Sequence, residues 1–257
     1  MKTAFLQYAQ EWENRQASRD KIQDIINCHS DILQDCVLLA FCEMTLSGFT
    51  LNAESATSDD KDHSFFAEIA ERHNINVIYC GVENDYNTFF CVAPSGKILA
   101  KYQKCHLFSY AGENKSYKQG ENMPKTFRIN SKGQELAISP AICFDLRFPY
   151  LFWNNAINTD MYIIPAAWPA ARLEQWKALL KARAIENQSY VAGINRIGTE
   201  PGKSSPLQYA GGTMVFDPLG NCIMDAGSSE GIFTTEILPE FVQETRNRFP
   251  FIQERKK

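Results

Sequence analysis

Cys143 stands where an apolar strand pattern, residues 136–142, stops abruptly, and Asp145, Arg147 and Pro149 follow at once. A cysteine that only packs needs no such neighbours. One that attacks a carbonyl is well placed at the carboxyl end of a strand, on a sharp turn. There the next backbone N–H, that of Phe144, is free to bind a developing oxyanion. Two more polar residues stand at strand ends. Glu43 follows the apolar run 37–42, and Lys104 ends the run 97–103 with the parity of Ile98, Ala100 and Tyr102. A carboxylate and an ammonium at the mouth of an apolar core are costly unless paired or used. If the three strand ends meet, they supply a base, an oxyanion stabiliser and a nucleophile. Thiolate is the attacking form, so the environment of Cys143 is expected to favour it. Glu43 can take the thiol proton, pass it to leaving ammonia, and later activate water. Lys104 and the Phe144 N–H can hold the negative charge that builds on a carbonyl oxygen. The set suits metal-free cleavage of a carbon–nitrogen bond through a thioester. Taken singly, each residue has a blander reading: a packed thiol, a loop acid, a solvated rim lysine. The case rests on the three together.

The elements that must position these residues alternate between strand and helix. Hydrophobic periodicity predicts helices over 13–28 (Ile22, Ile25 and Ile26 inward), 62–72 (Phe65, Phe66, Ile69 and Ala70 inward) and 173–187 (Leu173, Trp176, Leu179, Leu180 and Ala184 on one face). Strands are predicted over 4–7, 36–41, 76–80, 88–93, 98–103, 126–129, 135–142, 161–164, 190–194, 212–216, 222–224 and 232–236. Turns at Pro94–Lys97 and Ser131–Gly133 make two hairpins, and Asp217–Gly220 is a third turn. Hairpins mixed with strand–helix units imply an α/β protein with a mixed sheet, or a pair of sheets, and helices outside. Two long loops, 109–125 and 198–209, are candidate binding loops. No linker, repeat or low-complexity stretch divides the chain, so residues 1–257 are expected to form one domain.

Composition narrows the function class. The chain has 257 residues, 44% hydrophobic and 22% charged, as in a soluble globular enzyme. A net charge of −4 with scattered Lys and Arg argues against nucleic-acid binding. No apolar run reaches membrane-spanning length, and the first residues are too short an apolar block for a secretory signal. A cytoplasmic protein is expected. The eight cysteines contain no C-x-x-C pair and the four histidines no i, i+4 pair, so neither a metal site nor another cofactor is expected. Apart from Cys143, most of the thiols are expected to be reduced, buried small hydrophobes.

Over essentially its full length the chain resembles the nitrilase, or carbon–nitrogen hydrolase, superfamily. The resemblance is carried by Phe41-Cys42-Glu43-Met44-Thr45-Leu46-Ser47-Gly48-Phe49, by Lys101-Tyr102-Gln103-Lys104-Cys105-His106-Leu107-Phe108, and by Ile142-Cys143-Phe144-Asp145-Leu146-Arg147-Phe148-Pro149, in the family's order. It implies a four-layer α-β-β-α sandwich that commonly pairs with a second subunit, so a homodimer or higher homo-oligomer is expected. It implies a Glu43–Lys104–Cys143 triad and a second glutamate ordering the site, matched by Glu113, which is otherwise read as a solvated loop acid. Trp168-Pro169-Ala170-Ala171-Arg172, Trp176-Lys177 and Arg183-Ala184-Ile185-Glu186-Asn187-Gln188 resemble the omega-amidase branch. Members of that branch hydrolyse the terminal amide of 2-oxoglutaramate or 2-oxosuccinamate. Such a substrate carries a distant carboxylate, for which Arg172 and Arg147 are candidate partners. A structural pair of Arg147 with Asp145 or a nearby Glu is the stronger expectation. Trp168 walls the acyl pocket or packs on Pro169, and Phe144 and Ala167 line the pocket. Relatives usually have Pro at 42, Tyr or Trp at 144, and Asn at 167. Three alternatives stay open: an omega-amidase; a carbamoylase, aliphatic amidase or nitrilase of the same superfamily; or a non-catalytic scaffold.

Overall fold

The computed structural model describes residues 1–131, 133–201 and 206–255. Six strands form a first sheet: β1 (Lys2–Gln7), β2 (Cys36–Ala40), β3 (Asn76–Glu83), β4 (Tyr86–Val92), β5 (Ile98–Gln103) and, at the far edge, a last strand (Gly231–Glu236) beside β1. β1, β2 and β3 run parallel, and β4 and β5 return as antiparallel hairpin strands. β2 is buried at every residue, as a central parallel strand covered on both faces must be. The second sheet contains β6 (Phe127–Ser131), β7 (Gln134–Pro140), β8 (Met161–Pro165) and β9 (Tyr190–Ile194), followed outward by Met214–Phe216 and Cys222–Asp225. β7, β8 and β9 are parallel.

Helices cover the outer faces. α1 (Arg15–Cys28) buries Ser18, Ile22 and Ile26, a strict i, i+4 stripe. α2 (Asp60–His73) buries Asp62, Phe66, Ile69 and Ala70. It starts in a reciprocal box between Asp59 and Asp62 and ends where Asn74 turns left-handed, φ 52°. α3 (Leu173–Asn187) lays Trp176, Leu180 and Ala184 on the second sheet. Only glycine fits at 193 beneath it: a Cβ there would sit 2.4 Å from Trp176 and 2.6 Å from Leu180. The result is the expected α-β-β-α arrangement, two mixed sheets with helices outside.

Several expectations change in detail. A fourth helix, α4 (Pro239–Arg248), was not anticipated; Val242 and Thr245 are its only buried residues, too sparse a stripe to read. The loop expected over 198–209 carries a hairpin, Ile197–Glu200 paired with Leu207–Ala210, and residues 202–205 lie outside the described residues. Lys132, the middle of the expected 131–133 turn, also lies outside them. Cys28 and Cys222 are exposed, whereas Cys36, Cys42, Cys80, Cys91 and Cys105 are buried. Ile98, which shares the parity of the buried Tyr102 and Lys104, is nonetheless 44% exposed at the start of an edge strand. Among the described residues no helix is long and apolar enough to cross a membrane.

Candidate active site

The parallel strands of both sheets end at one crevice, the place where an α/β fold presents its loops. Glu43 lies three residues beyond β2, Lys104 one beyond β5, and Cys143 three beyond β7. All three line the same cleft. Lys104 Nζ donates to Glu43 Oε1 at 2.7 Å and to both oxygens of Glu113 at 2.9 Å. Glu43, Lys104 and Glu113 are fully withdrawn from solvent. Glu113 is therefore no solvated loop acid. It opens a helical turn, Glu113–Ser116, in the long loop, and Phe108 N–H also donates to it, at 2.6 Å. Ala167 N–H, just past β8, donates to Glu43 Oε2 at 3.0 Å.

Cys143 opens a 3-10 turn (Cys143–Arg147) with φ +46°, a left-handed conformation that side chains adopt rarely. The Phe144 N–H stands in the first turn, where backbone donors lack intrahelical partners. Asp145 holds this turn in place. Its buried carboxylate accepts from Ile142 N–H (3.0 Å), Tyr102 O–H (2.8 Å), His106 N–H (2.9 Å) and lies 2.9 Å from His106 Nδ1. Tyr102 and His106 flank Lys104. The two strand ends are thus tied together through the residues on either side of the lysine and the one two beyond the thiol.

The cluster also sets protonation. Burial pushes the Cys143 thiol well above its usual range, and the Glu43 carboxylate beside it adds to that; Lys104 and the Ala167 N–H pull the other way without prevailing. The expected thiolate-favouring environment is corrected: burial and the Glu43 charge favour the protonated sulfur. Burial alone would lower Lys104, but Glu113 and Glu43 outweigh it and hold the ammonium well above the ordinary lysine range. The structural thiols are further from reach, with burial pushing Cys42 up to about 12.

The cleft is also lined by Phe108, Phe144, Arg147, Trp168, Arg172 and Tyr209, among others. Asn195 pins the Trp168 backbone, accepting from its N–H (2.8 Å) and donating to its carbonyl (3.0 Å). Trp168 Nε1 donates to Arg172 O at 2.9 Å, so the indole is a fixed wall. Arg147 is not paired with Asp145, whose oxygens are taken up by Tyr102, Ile142 and His106. Its guanidinium donates to Gln175 at 2.6 Å and lies over Trp168, 5.0 Å from the ring centroid. Arg172 lies over Phe108, 5.4 Å from its centroid. Burial and the neighbouring Arg172 charge lower the pKa of Arg147. Among the described residues no group of His, Cys, Asp and Glu is placed to hold a metal ion.

The carbon-nitrogen hydrolase family profile matches residues 2–247. The chain belongs to that family. As a carbon–nitrogen hydrolase it is 33% identical to Omega-amidase YafV of Yersinia enterocolitica over 232 residues, covering 86% of this chain and 87% of the relative. It is 29% identical to the 2-oxoglutaramate amidase of Bacillus subtilis, covering 89% and 86%. Among solved structures, XC1258 of Xanthomonas campestris, a CN-hydrolase superfamily protein with an arsenic adduct in its active site, superposes with a TM-score of 0.88 at 27% identity, covering 100% of this chain and 97% of that one.

One residue of the hydrolase site was missed from sequence. Asn87 Nδ2 donates to Glu43 Oε1 at 2.9 Å and to Glu113 Oε1 at 3.1 Å. A partial signal existed. The 94–97 turn marks the hairpin, and beyond a bulge at Cys91/Val92, which the sequence does not announce, Thr88 lies opposite Gln103 and Asn87 opposite Lys104.

Proposed function

We propose that this carbon–nitrogen hydrolase is an amidohydrolase that cleaves the terminal amide of a 2-oxo dicarboxylic acid monoamide, such as 2-oxoglutaramate or 2-oxosuccinamate, through a thioester on Cys143. The observation that carries the proposal is the buried Glu43–Lys104–Glu113 cluster beside a thiol, in a cleft rimmed by two neighbouring guanidinium groups. The names of the two relatives point to the same substrate class.

The chemistry follows from the geometry. The thiol is neutral at rest, so attack on the amide carbon needs Glu43 to take the proton as the C–S bond forms. Glu43 Oε2 is the oxygen with room to do so, because Lys104 and Asn87 occupy Oε1. Negative charge on the carbonyl oxygen is met by the Lys104 ammonium and the Phe144 N–H. Collapse of the tetrahedral adduct expels ammonia with the proton from Glu43, leaving an acyl-cysteine. Water, deprotonated by Glu43, then releases the dicarboxylate and restores the thiol. Arg147 and Arg172 repel each other across the rim, and a substrate carboxylate placed there relieves that repulsion. Trp168 walls the acyl chain between the two ends.

The test is ammonia release from 2-oxoglutaramate, with intact-mass detection of the acyl-enzyme. Wild type is expected to turn over, Cys143→Ala to be inactive, and Arg172→Ala to raise KM about tenfold or more with kcat less affected. Equal rates for wild type and Cys143→Ala would overturn the proposal. Carbon dioxide release from a carbamoyl-amino acid, or turnover of an aliphatic amide or a nitrile with no activity on 2-oxoglutaramate, would reassign the substrate.

A further inference from the structure

Two buried carboxylates face one ammonium in this site, and only one of them can be the base. Glu113 is saturated: Oε1 accepts from Lys104 and Asn87, and Oε2 accepts from Lys104 and Phe108 N–H. On Glu43, Oε1 accepts from Lys104 and Asn87, while Oε2 accepts from Ala167 N–H and retains capacity toward the sulfur. The two residues that impose this asymmetry are neighbours across a hairpin. Lys104 N–H donates to the Asn87 carbonyl at 2.9 Å, so one backbone bond sets both side chains over the same pair of oxygens.

Lysine supplies charge. Asparagine supplies direction without charge. Its amide has two N–H donors and both are spent on carboxylate oxygens, which fixes the amide rotation. The price is visible: Asn87 Oδ1 is buried without a hydrogen-bond partner among the described residues. A second cation at this position would quench the basicity of Glu43, whereas a neutral donor orients it and leaves its charge intact.

We infer that Asn87 is a positioning residue for the base: by bridging Glu43 Oε1 and Glu113 Oε1 it fixes the rotation of the Glu43 carboxylate, so that Oε2 faces the Cys143 thiol. The inference rests on the assignment of Glu43 as base made above, but not on the identity of the substrate.

The experiment compares wild type, Asn87→Ala and the isosteric Asn87→Asp in two assays across pH. One is turnover of 2-oxoglutaramate. The other is acylation of Cys143 by p-nitrophenyl acetate, read as p-nitrophenolate release and as an acetyl mass gain on Cys143, which needs no contact with the rim arginines. For Asn87→Ala, kcat is expected to fall by about ten- to a hundredfold, within the range of a misdirected general base, with KM within about twofold. The acid limb of both pH profiles should move to higher pH, because a carboxylate deprived of a donor keeps its proton longer. Asn87→Asp, which adds a third carboxylate, should lose more and move the limb further. Thermal unfolding normalises each rate to folded protein. If folded Asn87 variants keep the wild-type acid limb and acylation rate and lose only stability, the residue is a structural strut and the inference is overturned. Absence of acylation at Cys143 in the wild type removes the base to be positioned and overturns it too. Absence of turnover of 2-oxoglutaramate alone, with acylation intact, fails the substrate assignment while the acylation profile still decides the role of Asn87.

Discussion

At Cys143 two opposing demands meet. The sulfur must become a nucleophile, yet burial and the adjacent Glu43 charge keep it protonated. Removing that charge should separate the two effects. In Glu43→Gln the raising influence of the carboxylate is gone while Lys104 remains, so the thiol should titrate at lower pH than in wild type. Turnover should nonetheless fall at least about a thousandfold, because the proton has nowhere to go. Ultraviolet thiolate absorbance, with Cys143→Ala as the blank, reads the first change and ammonia release the second; a thiol midpoint that stays or rises would contradict the assignment. The backbone of the same residue gives an independent prediction. A left-handed φ costs a side-chain-bearing residue about 1 kcal/mol that glycine does not incur. Both Cys143→Ala and Cys143→Gly should be inactive, but the glycine variant should be the more stable of the two by about that amount in urea unfolding.

Strand ends, not helices, place the chemistry. β2, β5 and β7 deliver one reacting side chain each, and Asp145 sets the spacing between the last two. Replacing Asp145 with Ala strands the Tyr102, Ile142 and His106 donors in the interior. A loss of about 3 kcal/mol is expected from bonds to a buried carboxylate. A fall in kcat of about a hundredfold should accompany it, the cost of displacing a nucleophile from its base. Chemical denaturation and steady-state kinetics on the same preparation check both, and normal kcat in a destabilised variant would confine Asp145 to stability. Much of this scaffold was legible in the chain. The apolar runs of β2, β8 and β9, the Ile22 and Ile26 stripe of α1 and the full extent of α3 follow from periodicity alone, because burial on fixed faces leaves a regular trace. The three strand-end polar residues were legible for the same reason in reverse, each interrupting an apolar pattern. Asn87 was assigned no role and Asp145 was paired with the wrong residue, Arg147, because their partners come from other strands and no periodicity records a contact across 43 or 44 positions of sequence. The hairpin beside the cleft was read as loop because Ile197–Glu200 and Leu207–Ala210 are only four residues each, too short to show a period. The environment of the thiol escaped as well, since burial depth is a property of the assembled sheets.

The two sheets close over a cluster whose charges do not cancel: two carboxylates, one ammonium and a neutral thiol, with Lys104 holding the balance. Its pKa is raised in the folded state, so the stability that its protonation contributes is fully present below the ordinary lysine pKa and is lost as pH rises through the raised value. Across the neutral range wild-type stability should therefore owe no pH dependence to the titration of Lys104. Lys104→Met reverses the sign. Two buried carboxylates then face each other without a counter-charge, which should cost about 3–5 kcal/mol at pH 7. Burial and mutual repulsion make each of them bind a proton more tightly folded than unfolded, so the variant should recover stability as pH falls from 7 toward 5. Adding Glu113→Gln to Lys104→Met removes one of the two charges, and should restore part of the loss at pH 7 and flatten the pH dependence. Urea unfolding of the two variants and wild type at pH 5 and pH 7 measures all three effects. If Lys104→Met is as stable as wild type, or regains no stability on acidification, the site's charges are not coupled to the core in the way the geometry requires.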